Sequence, residues 1–312
     1  MKNNYFQKIS VLVFTLVFLA GCTDSQEDKL SQSKNEGETR PVVYVSNYPL
    51  QYFVKRLAPW TDVRFPAAES ADPAFWKPTP EDVSAMQQAD LIVLNGASYE
   101  SWLKNVTLPP SKLLNTAAGF KDRLIPLADK TTHSHGLEGE HEHSAMAFTT
   151  WLDIKLAVEQ AQSITTALAA RWPEHSSEVK TVFTALKNDL QLLDEQMQNT
   201  VRTAQDRPVI FSHPIYQYLQ KRYGINGKSV QWEPDVMPDE GMWQELNQLI
   251  RDHPAKWIIW EGVPLPRIVA RLESLGIRSV VFDPCVGTPS QEDFLSTMKI
   301  NLVALKIAFG DS

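Results

Sequence analysis

The sequence predicts an α/β protein of two lobes, each built on a parallel sheet, joined by a long backbone helix. Three observations carry this. Residues 173–205 contain no glycine and only the leading proline. Within them Val179, Val182, Leu186, Leu190, Leu193 and Met197 recur at steps of three and four, which places them on one face of an α-helix. On both sides of this run, short β-branched apolar stretches alternate with helical ones, the pattern of parallel sheets covered by helices. Ser176, Ser177 and Glu178 supply helix-start chemistry. Roughly thirty residues at 1.5 Å each make a rod of about 45 Å, long enough to cross a domain. A helix confined to one lobe carries the same stripe; the alternation on both sides favours a spine between two.

Bulk composition bounds the rest. The 312 residues leave room for two lobes, each with its own core. A hydrophobic fraction of 43% and a charged fraction of 21% belong to a globular protein. The formal net charge of −7 makes nucleic acid a poor partner, because phosphate binding needs a basic face.

Residues 1–21 read as a signal peptide. Lys2 and Lys8 precede an apolar run from Ile9 to Ala20 that is too short to span a bilayer comfortably. It ends in Leu19–Ala20–Gly21–Cys22, which resembles the lipobox of bacterial lipoproteins. The resemblance implies cleavage before Cys22 and acylation of its thiol. Cys285 is then left without a partner, so no disulfide is expected. Residues 22–40 are polar and lack aromatics, a tether too hydrophilic to order itself. An extracytoplasmic protein held to a bacterial membrane by its N-terminal lipid is expected, in the periplasm if the cell is Gram-negative.

The first lobe spans 41–130. Residues 41–50 read as a strand and polar turn before the helical run LQYFVKRLA; DVRFP reads as a second strand. Thr79 and Pro80 open a helix as cap and first helical residue, and residues 90–96 form a buried strand stopped by Asn95 and Gly96. Ligands bind beyond the carboxyl ends of such strands, so Ser46, Asn47, the 67–77 loop and Asn95 belong to the functional rim. Residues 131–147 form a histidine-rich loop. His133, His135, His141 and His143 stand among glutamates there, a composition suited to zinc and its neighbours. Residues 148–205 are helical and include the spine.

In the second lobe, 206–312, three predicted strands end at His213, Glu261 and Asp283. A parallel sheet brings those ends to one rim, and imidazole with carboxylate is a divalent-metal set. Each also has a plainer use: His213 as hydrogen-bonded scaffolding, Glu261 as a helix cap, Asp283 before proline as a turn. Helices are expected at 214–224, 240–251, 265–275 and 291–309.

These residues carry a resemblance to the zinc- and manganese-type solute-binding lipoproteins of bacterial ABC importers. It runs from about Pro41 to the end through VSNYPLQYFVKRLA, DPAFWKPTPEDVSAMQQADLIVLNG, the histidine loop, WLDIKLAVEQAQSITTALA, SHPIYQYLQKRYGI, IIWEG and VVFDP. It implies two lobes on a rigid helix, a metal in the cleft, and delivery by a monomer to a membrane permease. Zinc is the first metal implied and manganese the second. The resemblance also implies histidines where this chain has Ala74 and Thr149, whereas His213 and Asp283 fit the other two ligand positions.

Three readings follow. In the first the loop histidines complete the set, in the second Cys285, Glu261 or Glu69 does, and in the third the cleft holds no bare metal. In the last case Trp76 and Trp151 fill the space or stack on a ligand. Cys285 also reads as a small buried apolar residue, and both tryptophans as core. The alternative function is a degenerate relative, a metal buffer or surface interaction protein in which only the loop binds metal. No phosphate loop, HExxH or GxSxG points to an enzyme.

Overall fold

Two four-stranded parallel sheets share one helical layer in this computed structural model, which describes residues 40–70, 73–127, 132–134, 140–142, 146–289 and 293–310. The leader, Cys22 and most of the tether lie outside the described residues.

The first sheet contains β1 (Val42–Val45), β2 (Asp62–Arg64), β3 (Leu91–Leu94) and β4 (Leu113–Asn115), in the order β2-β1-β3-β4. The second contains β7 (Val209–Phe211), β8 (Gly227–Ser229), β9 (Trp257–Trp260) and β10 (Arg278–Val281), in the order β10-β9-β7-β8. All pairings within both sheets are parallel. The histidine segment, expected as loop, contains an antiparallel pair, β5 (Thr132–Ser134) and β6 (Glu140–Glu142), whose register sets His133 opposite His141. His135 and His143 lie outside the described residues.

Each sheet is buried on both faces, and the period-2 alternation of strand side chains shows what covers each. Val43, Val45, Leu91 and Val93 of the first sheet, and Val209, Phe211, Trp257 and Ile259 of the second, all enter a single core cluster. Tyr44, Ile92 and Leu94 face a separate outer cluster in the first lobe, while Ile210, Ile258 and Trp260 face another in the second. The expectation of one core per lobe is therefore corrected. The inner faces of the two sheets belong to one continuous core, and each lobe adds only an outer layer.

That shared core is built by α1 (Tyr48–Leu57), α3 (Ile154–Arg171), α4 (Ser176–Arg202), α5 (Gln217–Tyr223) and α8 (Phe294–Phe309). The outer layers come from α2 (Pro80–Gln88) in the first lobe and α6 (Glu240–Asp252) with α7 (Pro266–Ser274) in the second. Thr79 caps α2 as expected, in a reciprocal capping box with Asp82.

The spine is α4. Its buried stripe is Val179, Phe183, Leu186, Leu190, Leu193, Met197 and Val201, with Val182 only partly buried. Its start differs from the expectation. A short 3-10 turn covers Pro173–His175, the cap position is His175, and no side chain bonds the first N–H groups. His175 instead stacks on Trp60 at 3.9 Å and meets Glu178 at 3.2 Å. In the second lobe, α5 begins at Gln217 rather than at Pro214.

Arg222 ties the spine to both flanking elements. It forks onto Asp194 of α4 and approaches the α3 cap residue Asp153 at 3.6 Å.

Leu190 is fully buried and Leu192, two residues on, is 57% exposed. Leu190→Ala is expected to lower unfolding free energy by about 2–5 kcal/mol. Leu192→Ala is expected to change it by less than about 0.5 kcal/mol. Urea denaturation of the two variants side by side checks the pair.

Candidate metal site

In both sheets the strand order reverses between two central strands, β1 and β3 in one and β7 and β9 in the other. Ligands bind outside the carboxyl ends of strands at such switch points. The two lobes use this position differently.

The first lobe fills its switch point with its own polar groups. Asn47 caps α1 by accepting the Leu50 N–H, and its Nδ2 donates to Asn95 Oδ1 at 3.2 Å. The same oxygen accepts from Gln160 Nε2 at 3.1 Å and Thr150 Oγ1 at 3.3 Å. Gly96, at φ 77, makes the turn after β3; a Cβ there would lie 2.2 Å from Asn115 Oδ1. Beneath it the Glu100 carboxylate accepts the backbone N–H groups of Asn95 and Gly96 at 2.6 and 3.1 Å. Burial pushes the Glu100 carboxyl above its ordinary range, opposed by the Ser46 hydroxyl and these backbone N–H groups.

The positions where imidazoles were expected are closed. Ala74 is buried in a 3-10 turn, Pro73–Phe75. The buried Thr149 donates its hydroxyl to the Ile215 carbonyl at 2.6 Å, two residues past His213. Trp151 is fully buried, and its indole N–H donates to the Pro284 carbonyl at 2.7 Å. Both bonds cross between lobes, as does the Ile125 N–H bond to the Tyr218 hydroxyl at 3.2 Å. Trp151 is thus core and a lobe-to-lobe strut, and Trp76 packs edge-on against Trp102. Trp76 also lines a small cavity with Ser46, Ala67 and Trp102. Glu69 is exposed at the end of the 3-10 turn Pro66–Glu69.

The second lobe gathers side chains that could hold a metal ion at its switch point. His213 follows β7, Glu261 follows β9, and Glu233 follows β8 in the adjoining loop. One ligand atom from each lies within 4.8 Å of the other two, and among the described residues this is the group so arranged. His213 is buried, with Nδ1 3.5 Å from Glu233 Oε1; Glu233 and Glu261 are partly exposed. Backbone bonds fix the three loops. The Trp232 N–H donates to the Ser212 carbonyl at 2.7 Å, the Ser212 N–H to Ile259 at 2.9 Å, and the Leu265 N–H to Pro234 at 2.9 Å.

His213 and Glu261 were legible as strand-end residues; Glu233 was not. Asp283 occupies a turn. Its Oδ1 accepts the Cys285 N–H at 2.7 Å, and its backbone N–H and carbonyl both pair with the Asn301 side chain. Burial pushes the Asp283 carboxyl up, with the Cys285 N–H pulling it back. Cys285 is fully buried at φ 56, and burial raises its thiol well above the usual range. Its place in the shared core fits the apolar use weighed for Cys285.

Residues 43–308 match the protein family described as zinc-uptake complex component A, periplasmic. The chain is 26% identical over 317 residues to the high-affinity zinc uptake system protein ZnuA of Bacillus subtilis, covering 95% of each. It is 24% identical over 314 residues to the zinc-binding lipoprotein AdcA of Streptococcus pneumoniae, spanning 96% of this chain and 60% of that longer one. Its fold matches the metal-dependent lipoprotein YcdH of B. subtilis with a TM-score of 0.74 at 24% identity, covering 86% of this chain and 99% of the other. It also matches the Zn(II)-bound ZnuA-like domain of S. pneumoniae AdcA with a TM-score of 0.72 at 18% identity, covering 87% and 100%.

The raised Glu100 carboxyl has a stability consequence. A carboxyl whose folded-state pKa exceeds its unfolded value binds more protons when folded, so it costs stability as pH rises through that interval. The difference in unfolding free energy between wild type and Glu100→Gln is therefore expected to shift against wild type as pH rises from about 4.5, the ordinary value. Denaturant melts of both proteins across pH 4 to 8 check the sign; a difference that stays flat would contradict it.

Proposed function

Because the chain belongs to the family of periplasmic zinc-uptake complex component A, we propose that it captures a divalent metal in the cleft between its lobes and delivers it to an ABC importer. Zinc is the first candidate and manganese the second. The family is one of solute-binding components rather than enzymes, and its members work outside the cytoplasm. The observation that carries the proposal is the convergence of buried His213 with two carboxylates at the switch point of the second sheet. An imidazole nitrogen with carboxylate oxygens suits zinc and, less strongly, manganese.

The names of the relatives point the same way, one a high-affinity zinc uptake protein and another a zinc-binding lipoprotein. The Leu19–Cys22 sequence supports a lipid anchor on Cys22, with the protein acting as a monomer beside its permease. Among the described residues no helix is long and apolar enough to cross a membrane. The histidines of residues 133–143 serve as an accessory collector of metal.

Zinc titration against a competing chelator tests this reading. His213→Ala is expected to weaken the tightest site at least about a hundredfold, roughly 2.8 kcal/mol. Deleting residues 133–143 is expected to leave that site in place. Loss of all zinc binding on the deletion, with none on His213→Ala, would assign metal to the loop alone.

A further inference from the structure

The geometry points to a metal site held entirely by the second lobe, with His213, Glu233 and Glu261 as its protein ligands; this rests on the metal-capture reading above. Two of these residues follow from strand ends that flank the switch point, and Glu233 comes from the loop after the neighbouring strand. Donors around a four-coordinate zinc stand about 3.4 Å apart, given metal–ligand bonds near 2.0–2.2 Å. The 3.5 Å between His213 Nδ1 and Glu233 Oε1 already matches that spacing. The remaining atoms lie within 4.8 Å, a gap closed by small side-chain rotations.

Backbone hydrogen bonds hold the loops that present these donors. The Trp232–Ser212 and Ser212–Ile259 bonds bind the Glu233 loop to the ends of β7 and β9. The Leu265–Pro234 bond, with Gly262 close against Pro234, holds the Glu261 loop beside it.

At the two positions where the resemblance implies histidines, the first lobe offers no ligand. Ala74 has no donor atom, and the Thr149 hydroxyl is engaged with the Ile215 carbonyl. Asp283, the acidic residue that the resemblance assigned to the set, spends one oxygen on a backbone N–H of its own turn. A nitrogen and two carboxylates form a hard, oxygen-rich set. Three protein ligands leave a coordination position for water.

The test is zinc affinity of the metal-stripped full chain and its single variants, by competition with a chelating dye. Glu233→Gln and Glu261→Gln, which keep size and remove charge, are each expected to weaken zinc at least tenfold. Asp283→Asn is expected to stay within threefold of wild type. Zinc-edge anomalous diffraction from crystals of the unaltered chain is expected to place the ion beside Glu233, a readout independent of how any variant folds. A tenfold loss in Asp283→Asn, with both glutamate variants within threefold of wild type, would overturn this ligand set while leaving metal capture through His213 intact. Unchanged affinity in all of these and in His213→Ala would remove the metal-capture reading as well.

Discussion

The rest of the structure depends on the burial of one helical stripe. The seven buried residues of α4, from Val179 to Val201, enter the same core as the inner faces of both sheets. A helix that is apolar along one stripe must cover something along its whole length. Here it covers both lobes, together with α3 and α8. The relation between the sheets is therefore set by side-chain packing, and packed cores resist gradual deformation. Arg222 reinforces this by engaging α4 through Asp194 and the start of α3 through Asp153. At the cleft, Thr149 and Trp151 add hydrogen bonds from the first lobe to backbone carbonyls of the second. The site stands at the edge of a joint that is already closed by packing and by satisfied polar groups.

Both lobes bring the same topology to that joint and spend it differently. In the first, the groups beyond β1 and β3 bond one another: Asn47, Thr150 and Gln160 converge on the side-chain oxygen of Asn95, and Glu100 holds the turn beneath. Buried polar groups that bond one another in this way favour one fixed arrangement. In the second, the groups beyond β7 and β9 are an imidazole and a carboxylate, joined by the carboxylate of Glu233. Two carboxylates drawn together in a partly buried place repel, and a divalent cation turns that repulsion into attraction. The same sheet order thus gives a hydrogen-bonded polar cluster on one side and an imidazole with two carboxylates on the other.

Most of the fold was legible because its elements are strongly patterned. The buried central strands are continuous apolar runs, and α4 repeats without interruption for 27 residues. The missed elements are the weak ones. Strands β4 and β8 are three residues each and lie at sheet edges, and Gly227–Lys228–Ser229 has no apolar residue at all. Their pairing is set by the neighbouring strand, which a local pattern does not report. The single core was also illegible. Periodicity shows that Val43 and Val209 each face inward, but not that they face the same interior. The start of α4 was misplaced because Ser176 and Ser177 are good caps by chemistry, whereas the Trp60–His175 stack, a tertiary contact, fixes where the chain turns.

The same reasoning explains which part of the site could be read. His213 and Glu261 end strands that announce themselves, so their common rim followed from the sheet being parallel. Glu233 lies beyond the strand that had no signature, and its Trp232–Glu233–Pro234 context reads as ordinary loop. Had β8 been recognised, the rule that found the other two would have placed Glu233 on the same rim. A four-stranded parallel sheet has four carboxyl ends, and only three of these strands carry a clear sequence pattern. Asp283 was the opposite case. It ends a clear strand, and the Cys285 N–H draws one oxygen of its carboxylate into a turn. Strand position therefore nominates a residue for the rim. Whether its side chain is available there is decided by the backbone bonds of the loop, which a sequence records only through residues such as Pro284.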